Sequence, residues 1–135
     1  MRSWGNKSHK VYHTLDPRLQ AWCNRMLHEV TDISLLYGYR DRELQQTMFE
    51  AGNSKLRYPD SKHNHKPSLA VDLQPYPRPL HDNKLWGALG YLAGRGEKIA
   101  AELGITLRWG GDWDRDGDLT DQDFDDLFHW ELVDD

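Results

Sequence analysis

The sequence predicts an α+β domain built from about three helices and several short strands. Three observations carry this. Segments with helical spacing and short apolar runs follow one another in mixed order, with no regular alternation of strand and helix. Six Trp, six Tyr and three Phe supply bulky core material, which argues against disorder although 29% of the residues are charged. The chain of 135 residues fits one domain, residues 1–135, large enough to bury a real core.

Residues 1–13 read as a loosely ordered N-terminal segment. Asp16-Pro17 reads as an N-cap followed by Pro at the first helical position. Leu19, Trp22, Cys23, Met26, Leu27 and Val30 then recur at helical spacing and form one apolar face. Ile33 to Tyr39 reads as a strand. Asp41 caps a second helix carrying Leu44, Met48 and Phe49, with Gly52 past its end. Residues 53–68 form a long polar loop, of a length that is often functional. Leu69 to Leu73 is a short strand, closed by the Pro-rich stretch Pro75 to Pro79. Asp82 caps a third helix running to about Leu103 and stopped by Gly104, with Leu85, Trp86, Leu89, Leu92, Ile99 and Leu103 as its core residues. Gly94 and Gly96 weaken its middle. Ile105 to Trp109 and Phe128 to Val133 complete the strands, with an acidic loop from Asp112 to Asp126 between them.

The net charge of −5 conceals an asymmetry. Residues 112–126 hold eight Asp and one Arg, while the body of the chain is mildly basic. So many carboxylates in one loop repel one another unless a cation or solvent relieves them. Cys23 is the single cysteine, so no intrachain disulfide forms, and its place on the apolar helix face makes it a buried hydrophobe. No apolar run approaches the roughly 18 residues of a membrane span. The basic N-terminus, Met1 to Lys10, has no apolar segment behind it. The expectation is a monomeric product made in the cytoplasm, with no membrane or nucleic-acid partner.

Two clusters carry candidate chemistry. Metal-dependent hydrolysis needs three protein ligands, commonly His and carboxylate, an open position for water, and a separate carboxylate to take a proton. The first cluster runs from Ser61 through Lys62, His63, Asn64 and His65 to Ser68-Leu69-Ala70-Val71-Asp72. Asp72 sits in an otherwise apolar strand. Facing inward it needs a partner, whereas simple alternation would point it outward. The second cluster is Asp125-Asp126-Leu127-Phe128-His129-Trp130-Glu131. A lone His between two aromatics is more often a satisfied core residue; the two clusters together shift the odds toward a shared ion, and spacing alone leaves both readings open.

In this order the clusters resemble the zinc peptidases that include D-alanyl-D-alanine carboxypeptidases and phage L-alanyl-D-glutamate endopeptidases, whose fold is shared with the Hedgehog signalling domain. The family pattern is Ser-x-His, then Gly-x-Ala-x-Asp on the next strand, then an acid three residues before a second His. Here these are Ser61-Lys62-His63, Ser68-Leu69-Ala70-Val71-Asp72, and Asp126 before His129. Gly38-Tyr39-Arg40 matches a preceding Gly-x-Arg, and Leu107 to Trp113 is similar to a segment that phage endolysins carry ahead of the last strand. Some phage relatives look like Ser-Lys-His-Asn-x-x-Pro-Ser-x-Ala-Val-Asp, which matches residues 61–72 closely.

The resemblance implies a small, mainly antiparallel sheet flanked by about three helices. It implies zinc held by His63, Asp72 and His129, with Asp126 as general base. Arg40 would stand near the oxyanion or the substrate carbonyl, and Ser61 would hydrogen-bond the substrate backbone. There are two departures. The family's first His usually lies seven residues before the Asp, which selects His65 as the alternate to His63. Ser68 stands where Gly is usual, so that turn needs no positive φ.

The implied activity is hydrolysis of peptidoglycan stem peptides by an endolysin-type L-alanyl-D-glutamate endopeptidase, acting on the wall of a phage host after release. A D-alanyl-D-alanine carboxypeptidase is the near alternative, and a non-catalytic, calcium-dependent wall-binding module the distant one. The latter draws on residues 112–123, which fit a calcium loop of the EF-hand type, with Asp112, Asp114, Asp116, Asp118 and Asp123 as ligands and Gly117 at the turn. Asp rather than Glu at the last position shortens the bidentate arm. Similar segments are thought to make some phage endolysins calcium-regulated.

Overall fold

The computed structural model describes residues 2–134. Four helices, α1 (Asn6–Tyr12), α2 (Pro17–Arg25), α3 (Arg42–Glu50) and α4 (Asp82–Leu103), accompany four strands, β1 (Ile33–Tyr37), β2 (Ala70–Pro75), β3 (Leu107–Gly110) and β4 (Asp126–Leu132). The strands form one antiparallel sheet in the order β1-β2-β4-β3. The α+β expectation and the antiparallel sheet both hold.

The N-terminal segment is the main correction. Residues 6–12 are helical, not loosely ordered. A helix of seven residues is too short to stand alone, so its cause is tertiary. Ser8 is buried and its Oγ accepts the Leu35 N–H of β1 at 3.0 Å. The Tyr12 ring lies 5.9 Å from that of Trp4, and both are tied to Asn24 of α2.

Local signals placed α2 and α3 correctly. Asp16 accepts the Arg18 N–H at 2.9 Å with Pro17 at the first helical position, and Asp41 accepts the Leu44 N–H at 2.9 Å. The apolar stripe of α2 continues through a π-helical turn, Met26–Val30, which keeps Met26 and Leu27 buried. In α3 the fully buried residue is Gln45, while Leu44, Met48 and Phe49 are half-buried.

α4 begins at Asp82, but its cap is His81, so Asp82 is the first helical residue rather than the cap. Gly104 ends it with φ at 72°. Trp86 is 58% exposed and does not join the core, unlike Leu85, Leu89, Leu92 and Ile99. Gly96 has a packing reason: a Cβ there would stand 2.8 Å from Trp22 and 3.1 Å from Trp130. Its carbonyl accepts the Trp22 indole N–H at 2.9 Å. The Trp22 and Trp130 rings pack 4.8 Å apart at the centre of the core.

Sheet alternation divides the strands between two environments. Val71 and Leu73 of β2, with Trp130 and Leu132 of β4, enter the core beneath α2 and α4. Asp72, His129 and Glu131 therefore point to the opposite face, and Asp72 and His129 are paired directly across the β2–β4 ladder. Among the described residues, no helix is long and apolar enough to cross a membrane.

Candidate metal centre

The strand register brings Asp72 beside His129, and a short turn supplies the third group. Ser61 caps the 3-10 turn Lys62–Asn64. Its Oγ accepts the His63 N–H at 3.2 Å, and Asn64 Oδ1 accepts the Ser61 N–H at 3.1 Å. This closed box aims His63 inward and leaves His65 exposed at the end of the turn. Gly38 completes the approach. A Cβ there would stand 2.3 Å from Thr14 Oγ1, so only glycine fits, and its carbonyl meets the His63 ring.

His63, Asp72 and His129 are all buried, with one donor atom from each grouped together. His63 Nε2 lies 3.1 Å from His129 Nδ1 and 3.3 Å from Asp72 Oδ1, and His129 Nδ1 lies 3.2 Å from Asp72 Oδ1. The outward ring atoms are both engaged: His63 Nδ1 with the Gly38 carbonyl at 2.7 Å, and His129 Nε2 with Glu131 Oε1 at 2.8 Å. Those partners are acceptors, so each takes the ring's N–H and turns the other ring nitrogen's lone pair inward. Two lone pairs and a carboxylate oxygen then face one another, an arrangement that calls for a cation or a shared proton. Ligands bound tetrahedrally at about 2.0–2.1 Å are separated by roughly 3.3–3.4 Å, close to the spacings here. The three residues thus fit a zinc ion, in geometry and in chemistry.

The surrounding charges follow the same logic. Burial penalises the Asp72 carboxylate, but His63 and His129 outweigh it and hold the carboxyl well below its ordinary range. Burial also opposes charge on His129, yet Asp72 and Glu131 push it up to about 9, while burial pulls His63 down. Arg40 Nη2 donates to the second oxygen of Asp72 at 2.7 Å, in a pair that is almost wholly buried. Gln45 Oε1 receives Asn64 Nδ2 at 3.2 Å and stands 3.4 Å from Arg40 Nη1, so it ties the His63 turn to the Asp72 anchor.

Asp126 starts β4, where Gly110 presses against it. A Cβ on Gly110 would lie 2.0 Å from the Asp126 carbonyl oxygen. Burial, with the Asp72 charge nearby, pushes the Asp126 carboxyl up to about 6. It borders both cavities that flank the centre. Glu131 is the partner that sequence reasoning missed. It holds His129 and is itself held by Arg108 at 2.7 Å, and despite its burial these partners bring it down to about 2. Its signal was present: two residues beyond His129 on a strand, it shares that face.

The acidic loop is a second grouping. Asp112, Asp114 and Asp116 bring carboxylate oxygens within 4.8 Å of one another, whereas Asp118 and Asp123 fall outside that group. Asp112 is buried; its Oδ2 accepts the Gly117 N–H at 2.9 Å and its Oδ1 has no partner. Asp121, not among the expected ligands, is pushed up to about 6 by desolvation and by Asp116 beside it. Trp113 links the two regions. Its ring lies 5.3 Å from the His129 ring, and its indole N–H donates to the Phe124 carbonyl at 2.7 Å.

Comparison with known proteins finds matches over most of the chain. The model of the phage L-alanyl-D-glutamate peptidase family matches residues 2–133. An L-alanyl-D-glutamate peptidase of Escherichia phage T5 is 32% identical over 120 residues, covering 88% of this chain and 87% of that protein. The crystal structure of the Serratia marcescens L-Ala D-Glu endopeptidase ChiX shares the fold, with a TM-score of 0.68 at 22% identity over 95% of this chain and 87% of that one.

Proposed function

From the premise that this chain belongs to the phage L-alanyl-D-glutamate peptidase family, we propose that it is a zinc-dependent endopeptidase of peptidoglycan stem peptides, cutting between L-alanine and D-glutamate. The observation that carries the zinc assignment is the triangle of inward-facing donors on His63, Asp72 and His129. When bound, zinc supplies Lewis-acid chemistry, acidifying water to a pKa of about 7 and polarising a carbonyl.

The chain's own residues do the rest. Gly38 and Glu131 fix the two imidazole tautomers, and Arg40 fixes the Asp72 carboxylate. Asp126 takes the proton from the attacking water and returns it to the leaving amine. Its raised pKa of about 6 suits both halves of that exchange. Arg40 borders both cavities and stabilises charge developing on the scissile carbonyl. The Ser61 hydroxyl accepts from His63 N–H, which leaves its own hydrogen to donate to the substrate backbone.

Cavities of about 750 and 300 Å³ meet at Arg40 and Asp126. A cleft open on both sides of the reacting groups suits an internal bond better than a chain end, which favours the endopeptidase over the carboxypeptidase. Calcium is the second metal of this reading. Asp112, Asp114 and Asp116, with the unpartnered Asp112 Oδ1 among them, would take the ion. Trp113 and Phe124 would carry the resulting order toward His129 and Asp126.

The test is digestion of purified muropeptides by the zinc-loaded protein. A new amino terminus on D-glutamate supports the proposal. Release of free D-alanine alone would replace it with the carboxypeptidase.

A further inference from the structure

The two cavities beside the centre differ in chemistry. The larger is walled by Leu85, Trp86, Leu89, Leu127 and Phe128. The smaller contains His63 and His129 together with four cations, Arg40, Lys55, Lys62 and Arg108, and three carboxylates, Asp60, Asp126 and Glu131. Three of these cations are committed within the protein, Arg40 to Asp72 at 2.7 Å among them. Lys62 Nζ donates to the Leu132 carbonyl and stands 3.9 Å from Glu131, and Arg108 pairs with Glu131 at 2.7 Å.

Lys55 is different. Among the described residues it makes no ion pair, and its ammonium lies 5.1 Å from the centroid of the Phe124 ring, which borders both cavities. Its neighbours on both sides are held. The Gln45 side-chain amide donates to Ser54 Oγ at 2.9 Å and to the Leu56 carbonyl at 2.7 Å. Gln45 is wholly buried and its other end meets Asn64 and Arg40. One interior side chain thus sets the position of Lys55 relative to the anchor of Asp72.

The bond in question joins residues of unlike charge. A glutamyl unit linked through its amine and one carboxyl keeps a second carboxylate, whereas an alanyl unit has none. We propose that Lys55 is a specificity-determining residue that pairs with this free carboxylate, so the glutamyl half lies in the small pocket beside Lys55 and the alanyl half runs into the apolar groove. This rests on the endopeptidase reading above.

The experiment compares two synthetic stem peptides, one with the free glutamyl carboxylate and one with a carboxamide in its place. Steady-state kinetics are measured for the wild type, Lys55→Met and Lys55→Arg. The wild type favours the carboxylate by about tenfold in kcat/KM, as a charge-assisted contact gives. Lys55→Met reduces that preference to about twofold or less by raising KM for the carboxylate substrate alone, and Lys55→Arg restores it. Added salt narrows the wild-type preference and leaves Lys55→Met unchanged. Lys55 is exposed, so its replacement leaves the fold intact, which thermal unfolding checks. A Lys55→Met protein that keeps the full preference, or slows on both peptides equally, overturns the assignment. Cleavage of neither peptide by the zinc-loaded wild type removes the endopeptidase reading and this assignment together.

Discussion

His63, Asp72 and His129 come from a capped turn and two paired strands, whereas Asp112, Asp114 and Asp116 come from one run of five residues. The first group is buried, and each member has a neighbour that fixes its direction: Gly38, Arg40 and Glu131. The second is exposed apart from Asp112, and its contacts are short-range turns, such as Asp114 Oδ1 with the Asp116 N–H and Asp116 Oδ1 with the Asp118 N–H. A site fixed by tertiary structure has its donors in position before any ion arrives. A site fixed by local turns keeps carboxylates facing one another until an ion relieves them. The centre should therefore bind its metal tightly and statically, and the loop should respond to its metal by ordering.

The sharpest way to break this contrast is to remove ligands. His63→Ala abolishes stoichiometric zinc and reduces hydrolysis to background, while His65→Ala, altering an exposed side chain, keeps both; metal analysis alongside an assay of wall lysis decides. Retention of zinc by His63→Ala with loss in His65→Ala would reverse the assignment.

Asp126→Ala keeps zinc but lowers kcat by about 10²–10⁴, the usual worth of a general base. The sign of the pH effect follows from its role. Asp126 must be ionised to accept a proton, so kcat/KM in the wild type is full above about pH 6 and falls below it. Bound zinc favours the carboxylate and moves that limb lower, never higher. An acid limb well above 6 would assign the base to another group.

Glu131→Gln is a smaller perturbation. The amide keeps the shape but removes the charge behind His129, and zinc affinity falls about 10–100-fold. Competition with a chelator measures this, and an unchanged affinity would make Glu131 a fold residue only.

Smallest is the loop. Asp112→Asn leaves zinc content unchanged and removes a calcium-dependent rise in activity of about fivefold or more. If zinc alone fully restores chelator-treated protein, the loop is no switch.

Part of this was legible in the chain. Asp16-Pro17 and Asp41 placed two helices because a cap is a local hydrogen bond between near neighbours. Spacing alone left Asp72 and His129 open to ordinary strand readings, and the resemblance of residues 61–72 and 126–129 to the family pattern singled them out as candidates. Nothing local marked α1, whose helix depends on β1 and α2, or the exposure of Trp86. Nothing in the chain singled out Gln45, which is buried between Arg40, Asn64 and the Lys55 loop.

The sequence by itself determined the α+β class, the capped helices and the acidic run, because each depends on neighbours in the chain or on composition. Tertiary structure alone decided that His63 rather than His65 faces Asp72, that Glu131 and Gly38 set the imidazole tautomers, and that Asp118 and Asp123 stand apart from the loop's carboxylate group. The reason is geometric. Direction toward a common point comes from strand register and from a turn closed against a distant glycine, and neither is encoded within a few residues of the side chains they aim.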